Sequence, residues 1–519
     1  MRQFRAAVFA ALFLFFGPSM VMAQDITLRS QDGSVEITGT FLGFDGEFYR
    51  VRTKYGELTV DGTGVNCEGP ACPSLTNYVA EISISGAATM GEVLMPALIE
   101  AFGLRNNYKV SRSTADPGRF DYELSDGASG QILARFTFHA TNSDEGFADL
   151  LADEADIVMS LREIRPSEAQ RGYEAGLGDM TGSNRSRVLA LDGMVPVVSP
   201  GNPVRALSPL QLAQVFAGQI DNWIEFGGPD APIALHLMEP SSGMAQAVED
   251  QLMKPVGRVI AESTVRHGRN ISLVSAVMRD PFAIGIASFS QTGNTQKLTL
   301  DGPCGFAMTA SRRTIKTEDY PLTAPMFLYF PARRLPKIAR EFLAYTRSPS
   351  AQIVIRRAGF VDQAPEEVPV NLQGDRFANA ISVAGDEVPL EELQRMVNRL
   401  GPMKRLTTSF RFQPGSTRLD AQSRSNVQQL ARALEAGIYD ARKLVFVGFS
   451  DGDGAAAGNR KIAMKRAETV RSAVEAAAET ANFEQLTIEV DAFGEAMPMA
   501  CDDSAWGRQV NRRVEVWLR

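Results

Sequence analysis

Residues 443–467, KLVFVGFSDGDGAAAGNRKIAMKRA, contain a spacing that suggests bond-making chemistry. Gly448-Phe449-Ser450-Asp451-Gly452 is a Gly-x-Ser-x-Gly pentapeptide. A strand-forming run, Leu444 to Phe449, leads in, and a helical pattern (Ile462, Ala463, Arg466, Ala467, Val470, Val474) follows. That strand, turn and helix context is what exposes a serine hydroxyl for nucleophilic attack. The hydroxyl also needs a general base, and in this chain order the histidine should lie downstream of the serine. The chain has only His139, His236 and His267, all upstream and in a different expected domain. The residues therefore argue against an enzyme, and no catalytic residue is assigned. They favour a segment that binds without reacting.

The elements that would carry such a segment follow from the rest of the chain. Arg2 and Arg5 precede the apolar run Ala6 to Phe16, and Val21-Met22-Ala23 closes it, which is the pattern of a secretory signal peptide over residues 1–23. Its apolar run is too short to span a bilayer, and no cysteine follows the cleavage site to take a lipid. Loss of Arg2 and Arg5 takes the formal charge from −8 to −10, spread without long runs of one sign, so nucleic acid is excluded as a partner. The sequence calls for no cofactor and no metal. Cys67 and Cys72 flank a Gly-Pro turn and are close enough for a local disulfide in an oxidising compartment. A metal site there would lack a second pair of ligands. The sequence does not decide whether Cys304 and Cys501 pair.

Residues 24–78 alternate in four short strands between the turn signals Asp32-Gly33, Asp45-Gly46 and Tyr55-Gly56, which predicts a small all-β domain. From about residue 79 to 361 strands alternate with helices: EISISG, GEVLMPALIEAFG, ADIVMS, MVPVVS, SPLQLAQVFAG, SSGMAQAVEDQLM and FAIGIAS. This predicts an α/β region with largely parallel sheets, long enough for two lobes. Residues 362–402 are rich in Pro and acids at their start and read as a linker with one short helix, Leu390 to Leu400. Residues 403–519 read as β-α-β-α-β-β, a compact α/β sandwich.

The segment GFSDGDGAAAGNRKIAMKRAETV, with GEAMP and GRQVNRRVEVW after it, resembles the OmpA-like peptidoglycan-binding domain over about residues 407–519. The resemblance puts Asp451 on that motif's aspartate, Asn459 on its asparagine, Arg466 on its helical arginine, and residues 511–515 on its final strand. It implies a ligand, the free end of diaminopimelate in a peptidoglycan stem, which is a zwitterion. Asp451 would take the ammonium and Arg466 the carboxylate, in a bidentate contact, while Asn459 fixes the loop or bonds the ligand. The alternative is that Asp451 and Arg466 pair with each other at the surface, a contact of little energetic value. Phe449 stands where the motif has histidine, and Ser450 where it has threonine.

Residues 81–361 resemble the phosphate-type substrate-binding proteins of ABC transporters, above all in LSPLQLAQVFAGQIDNW. The resemblance implies a two-lobed α/β periplasmic binding-protein fold that closes on a small anion such as phosphate, with an ABC permease as a candidate partner. Its candidate ligand residues are Thr89, Met90, Ser160, Arg162, Ser242 and Gly243, hydroxyls and N–H groups at helix starts plus one cation. Each helix-start residue is equally readable as a plain N-cap. Leu237, Met238 and Glu239 occupy the place where the family carries an arginine, so either Arg162 is the substitute cation or the cleft binds another ligand or none. Together these readings imply a non-enzymatic periplasmic protein at the cell wall, with the outer membrane as a further candidate location. Its middle domain is either an oxyanion binder or a scaffold that has lost its ligand.

Overall fold

The computed structural model describes residues 25–75, 78–182, 184–302, 307–413, 415–502 and 505–519. The expected signal peptide lies outside them. Two compact units are present, divided between Tyr78 and Val79. Among the described residues no helix is long and apolar enough to cross a membrane.

In the first unit, five antiparallel strands pair in the order Gly56–Asp61, Phe48–Thr53, Glu36–Phe44, Asp25–Ser30, Val65–Glu68. Alternation aims Ile26, Leu28, Tyr49 and Val51 into one small core. Gly33 and Gly46 turn with positive φ, as the Asp-Gly signals require. The fifth strand has no counterpart in the sequence reading. It ends next to the Cys67–Cys72 disulfide, whose Cα atoms are 5.8 Å apart. A core of four buried side chains is small, and the cross-link restricts the unfolded chain instead.

The second unit opens with a mixed sheet built in two lobes. Ala80–Ala87 pairs in parallel with Ile132–Thr141 and Ile157–Ser160, and Ala234–Met238 pairs in parallel with Val265–His267 and Ala283–Ser288. The long strands Ser186–Val198 and Thr323–Tyr329 run antiparallel to each other and join the two halves. Largely parallel sheets were the expectation; the antiparallel meander Tyr108–Asp116, Arg119–Asp126 and Ile132–Thr141 departs from it. Its clean alternation of Phe120, Tyr122 and Leu124, all buried, fits a half-buried antiparallel strand.

The last sheet runs Glu367–Val368, Lys404–Arg411, Arg513–Leu518, Lys443–Phe449, Thr487–Gly494. Helices Ala421–Glu435 and Ala456–Ala477 cover one face, burying Leu430, Leu434, Val470 and Val474 against Phe410, Phe446 and Val516. Residues 362–402, expected to be a linker with one helix, instead form the edge strand Glu367–Val368 and two helices, Gly374–Ser382 and Leu390–Leu400. These helices cover the opposite face, over Val445, Val447 and Trp517. A helix, Ala505–Asn511, also lies between the last two strands, so Asn511 ends a helix and the final strand begins only at Arg513.

A buried ionic cluster joins this sheet to the two-lobed region. Arg405 holds Asp319 through two hydrogen bonds of 2.5 and 2.9 Å. Glu515 receives Arg376, Arg513 and the Trp517 indole N–H. Burial alone would raise the Glu515 carboxyl, but Arg376, Arg405 and Arg513 more than offset this and hold it well below the usual carboxylate range.

Candidate functional site

Gly448 lets strand Lys443–Phe449 press against helix Ala456–Ala477, because a Cβ there would overlap the carbonyl oxygen of Ala463. That contact sets the distance between the strand's C-terminal tip and the helix's inner face. Pleating then sends Phe449 and Ser450 to opposite faces. Phe449 is fully buried, with the Arg513 guanidinium 4.2 Å from its ring centroid and Phe493 beside it. The side chain that replaces the motif's histidine therefore fills the core beneath the loop. Ser450 is buried too, and its hydroxyl has no hydrogen-bond partner. The three histidines have other partners: His139 is held by Asp149 at 2.8 Å, and His236 and His267 meet each other at 2.9 Å.

Asp451, Asn459 and Arg466 are 8%, 6% and 5% exposed. Asn459 Nδ2 donates to Gly454 O at 3.3 Å and to Glu495 Oε2 at 2.5 Å, so it fixes the loop. The loop is also tied at Gly452, whose N–H donates to Asp502 Oδ2 at 2.7 Å; Asn511 Nδ2 holds the other Asp502 oxygen at 2.9 Å. Asp451 and Arg466 do not pair with each other. Asp451 Oδ2 instead lies 3.3 Å from Arg512 Nη1, an ion pair. Arg466 lies over Phe412, 5.3 Å from the ring centroid, and its Nε and Nη1 are buried without a partner. Burial pushes the guanidinium below its ordinary value, Arg512 adds to this, and Asp451 opposes it. Burial likewise raises Glu495, against its hydrogen bond from Asn459. The outcome is an anion, Asp451, paired with Arg512, and a cation, Arg466, with two nitrogens unsatisfied.

Sequence reasoning did not find the part played by Arg512, Asp502 and Glu495. Arg512 stands in NRRVE and Glu495 in GEAMP, but only the fold brings them beside Asp451 and Asn459.

In the two-lobed region, Thr89 and Met90 lie within the start of a helical segment that runs from Ala88 through a π turn, Met90–Leu94, into Met95–Arg105. Thr89 has helical backbone angles and makes no capping bond, and Met90 is fully buried. Ser160 is also fully buried; its hydroxyl donates to Arg162 O at 2.7 Å and accepts the Arg162 N–H at 3.2 Å. Arg162 is committed elsewhere: its guanidinium binds both Glu168 oxygens at 2.7 and 2.9 Å and Asp144 at 2.5 Å. Ser242 caps helix Gly243–Val248 by accepting the Ala245 N–H at 3.1 Å. A Cβ on Gly243 would lie 3.3 Å from both Ala87 Cβ and Leu161 Cδ1, so apolar atoms face that helix start. The fold thus brings Gly243 beside residues 87 and 161, while the one cation of the set is neutralised by two carboxylates.

The family model described as the PBP superfamily domain matches residues 59–350, and that of the OmpA family matches residues 411–512. The phosphate-binding protein PstS of Borreliella burgdorferi is 20% identical over 285 residues, which is 54% of this chain and 89% of that protein. An ABC-type phosphate transport receptor from Vibrio cholerae superposes with a TM-score of 0.41 at 24% identity, covering 54% of this chain and 99% of that one. The peptidoglycan-associated lipoprotein from Burkholderia pseudomallei superposes with a TM-score of 0.19 at 25% identity, covering 22% and 90%. The two-lobed sheet joined by its long shared strands and the match over residues 59–350 lead to one conclusion: the chain belongs to the PBP superfamily, and it carries an OmpA family domain behind that fold.

Proposed function

We propose that this protein binds peptidoglycan without chemical turnover, gripping the zwitterionic end of diaminopimelate between Asp451 and Arg466, and so sits at the cell wall in the periplasm. The observation that carries the reading is the Arg466 guanidinium, buried with Nε and Nη1 unpartnered, while Asp451 on the neighbouring strand tip is paired with Arg512 instead. A buried cation without a partner is costly, and a ligand carboxylate supplies what the fold omits. The ligand ammonium replaces Arg512 at Asp451. Co-sedimentation of the mature chain with purified sacculi tests this: Asp451→Ala and Arg466→Ala each lose retention, and retention equal to wild type in both variants overturns it.

The superfamily fold then acts as the body of a wall-bound scaffold. A second reading, oxyanion binding with phosphate as the ligand and an ABC permease as partner, draws on the relatives' names and on the capped helix start at Ser242 and Gly243. The commitment of Arg162 to Glu168 and Asp144, and the apolar packing on Gly243, favour the scaffold, since a buried phosphate needs a compensating cation. Calorimetry of the mature chain with inorganic phosphate separates the two. The scaffold gives no binding heat, and a saturable heat establishes the oxyanion reading instead.

A further inference from the structure

A cavity of about 440 Å³ lies where the two-lobed region meets the OmpA family domain. It is lined from both sides, and of the residues expected to hold an oxyanion only Arg162 borders it. Its acids are Glu163, which follows strand Ile157–Ser160, Glu318, which follows helix Arg312–Lys316, Asp420, the cap of helix Ala421–Glu435, and Asp250, which is paired with Arg165 and Lys254. Glu163 accepts only the Ala421 N–H at 2.6 Å, and Asp420 accepts the Ser423 N–H at 2.7 Å. Neither forms an ion pair among the described residues. Glu318 is 9% exposed, accepts Asn426 Nδ2 at 3.2 Å, and has its nearest cation, Arg411 Nε, at 3.8 Å.

The cations on the wall are turned to other partners. Arg411 donates to Val510 O at 2.6 Å and to Glu318 O at 2.5 Å, Arg162 binds Glu168 and Asp144, and Arg512 binds Asp451. Gln422, only 3% exposed, also lines the cavity, and its Oε1 accepts no hydrogen bond. Gln422 Oε1 is thus an unmet acceptor on the wall, beside one unmet donor, the Arg162 Nε. Tyr320, Phe327 and Trp506 supply aromatic surface around them.

We propose that this cavity is a binding site for a small organic cation, an ammonium group on an apolar body. The carboxylates and the amide oxygen receive its N–H donors, and the rings receive its apolar part and add cation–π attraction. The volume suits a ligand of modest size. Burial, with Asp420 adding to it, pushes the Glu163 carboxyl up to about 7, and burial pushes Glu318 up to about 8 against the pull of Arg411. In both, burial outweighs the nearby cation, Arg424 for Glu163 and Arg411 for Glu318. The site needs both domains in place, and it rests on no part of the wall-binding reading.

Titration of the mature chain with benzylammonium, followed by calorimetry and by the fluorescence change that Trp506→Phe should remove, tests the proposal. Benzylammonium should bind saturably. Benzyl alcohol, with the same ring and no charge, and the variants Glu163→Gln and Glu318→Gln should each show binding weaker by about tenfold or more. The variants' near-ultraviolet circular dichroism should match wild type. No saturable signal up to about 10 mM benzylammonium, equal binding of the alcohol, or undiminished binding in both folded variants overturns it.

Discussion

Replacing Arg466 with methionine should make the protein more stable while removing its grip on the wall. The side chain is 5% exposed, and its Nε and Nη1 have no acceptor. Leaving a buried donor unsatisfied costs about 1–3 kcal/mol, and methionine fills much of the same space without donors. The change gives up the cation–π contact with Phe412, about 0.5–1 kcal/mol, but a thioether against the ring recovers part of that. The balance is a gain of about 1 kcal/mol, which for a cooperative unit the size of Val79–Arg519 raises the thermal midpoint by about 1 °C. A bidentate charge-assisted contact with the ligand carboxylate is worth about 3 kcal/mol, so retention on sacculi should weaken by about a hundredfold. Calorimetric melting and co-sedimentation measure the two effects on one preparation. A variant that melts lower and still sediments fully would refute the reasoning, since Arg466 would then be a structural residue.

Two further perturbations address the ionic groups at the domain junction. Glu318 and Glu163 have folded-state values raised above those of the unfolded chain, so the folded state holds the extra protons and stability falls as pH rises from about 4.5 through 7 to 8. Melting scans between pH 5 and pH 8 should show that decline, and Glu318→Gln should flatten it; an unchanged slope in the variant counts against an unneutralised Glu318. Glu515→Gln leaves Arg376, Arg405 and Arg513 buried around a neutral group and should cost about 3–5 kcal/mol, read as a drop in the denaturation midpoint.

Much of this architecture is readable from residues alone where periodicity and turn chemistry agree, and hidden where tertiary partners decide. The strand, loop and helix around Asp451 follow from alternation in Leu444–Phe449 and the 3.6-residue pattern through Arg466. The local Cys67–Cys72 bond follows from their spacing. Residues 362–402 read as a linker because their Pro-rich opening lacks a pattern; their helices gain order by covering a sheet whose second face, Val445, Val447 and Trp517, is apolar as well. The same limit applies to the sites. Arg512 and Asp502 reach the loop only because helix Ala505–Asn511 precedes the last strand, and Arg162 cannot be known as neutralised until Asp144 and Glu168 are folded against it.

Peptidoglycans that differ only in their cross-linking residue test the central claim most directly. Diaminopimelate presents an ammonium and a carboxylate on one carbon, whereas lysine at the same stem position presents an ammonium alone. Equal masses of sacculi of the two kinds, incubated with the mature chain and sedimented, should retain it on the diaminopimelate wall and leave it in solution with the lysine wall. Equal retention on both would contradict the account, because Arg466 would then have no carboxylate to bind.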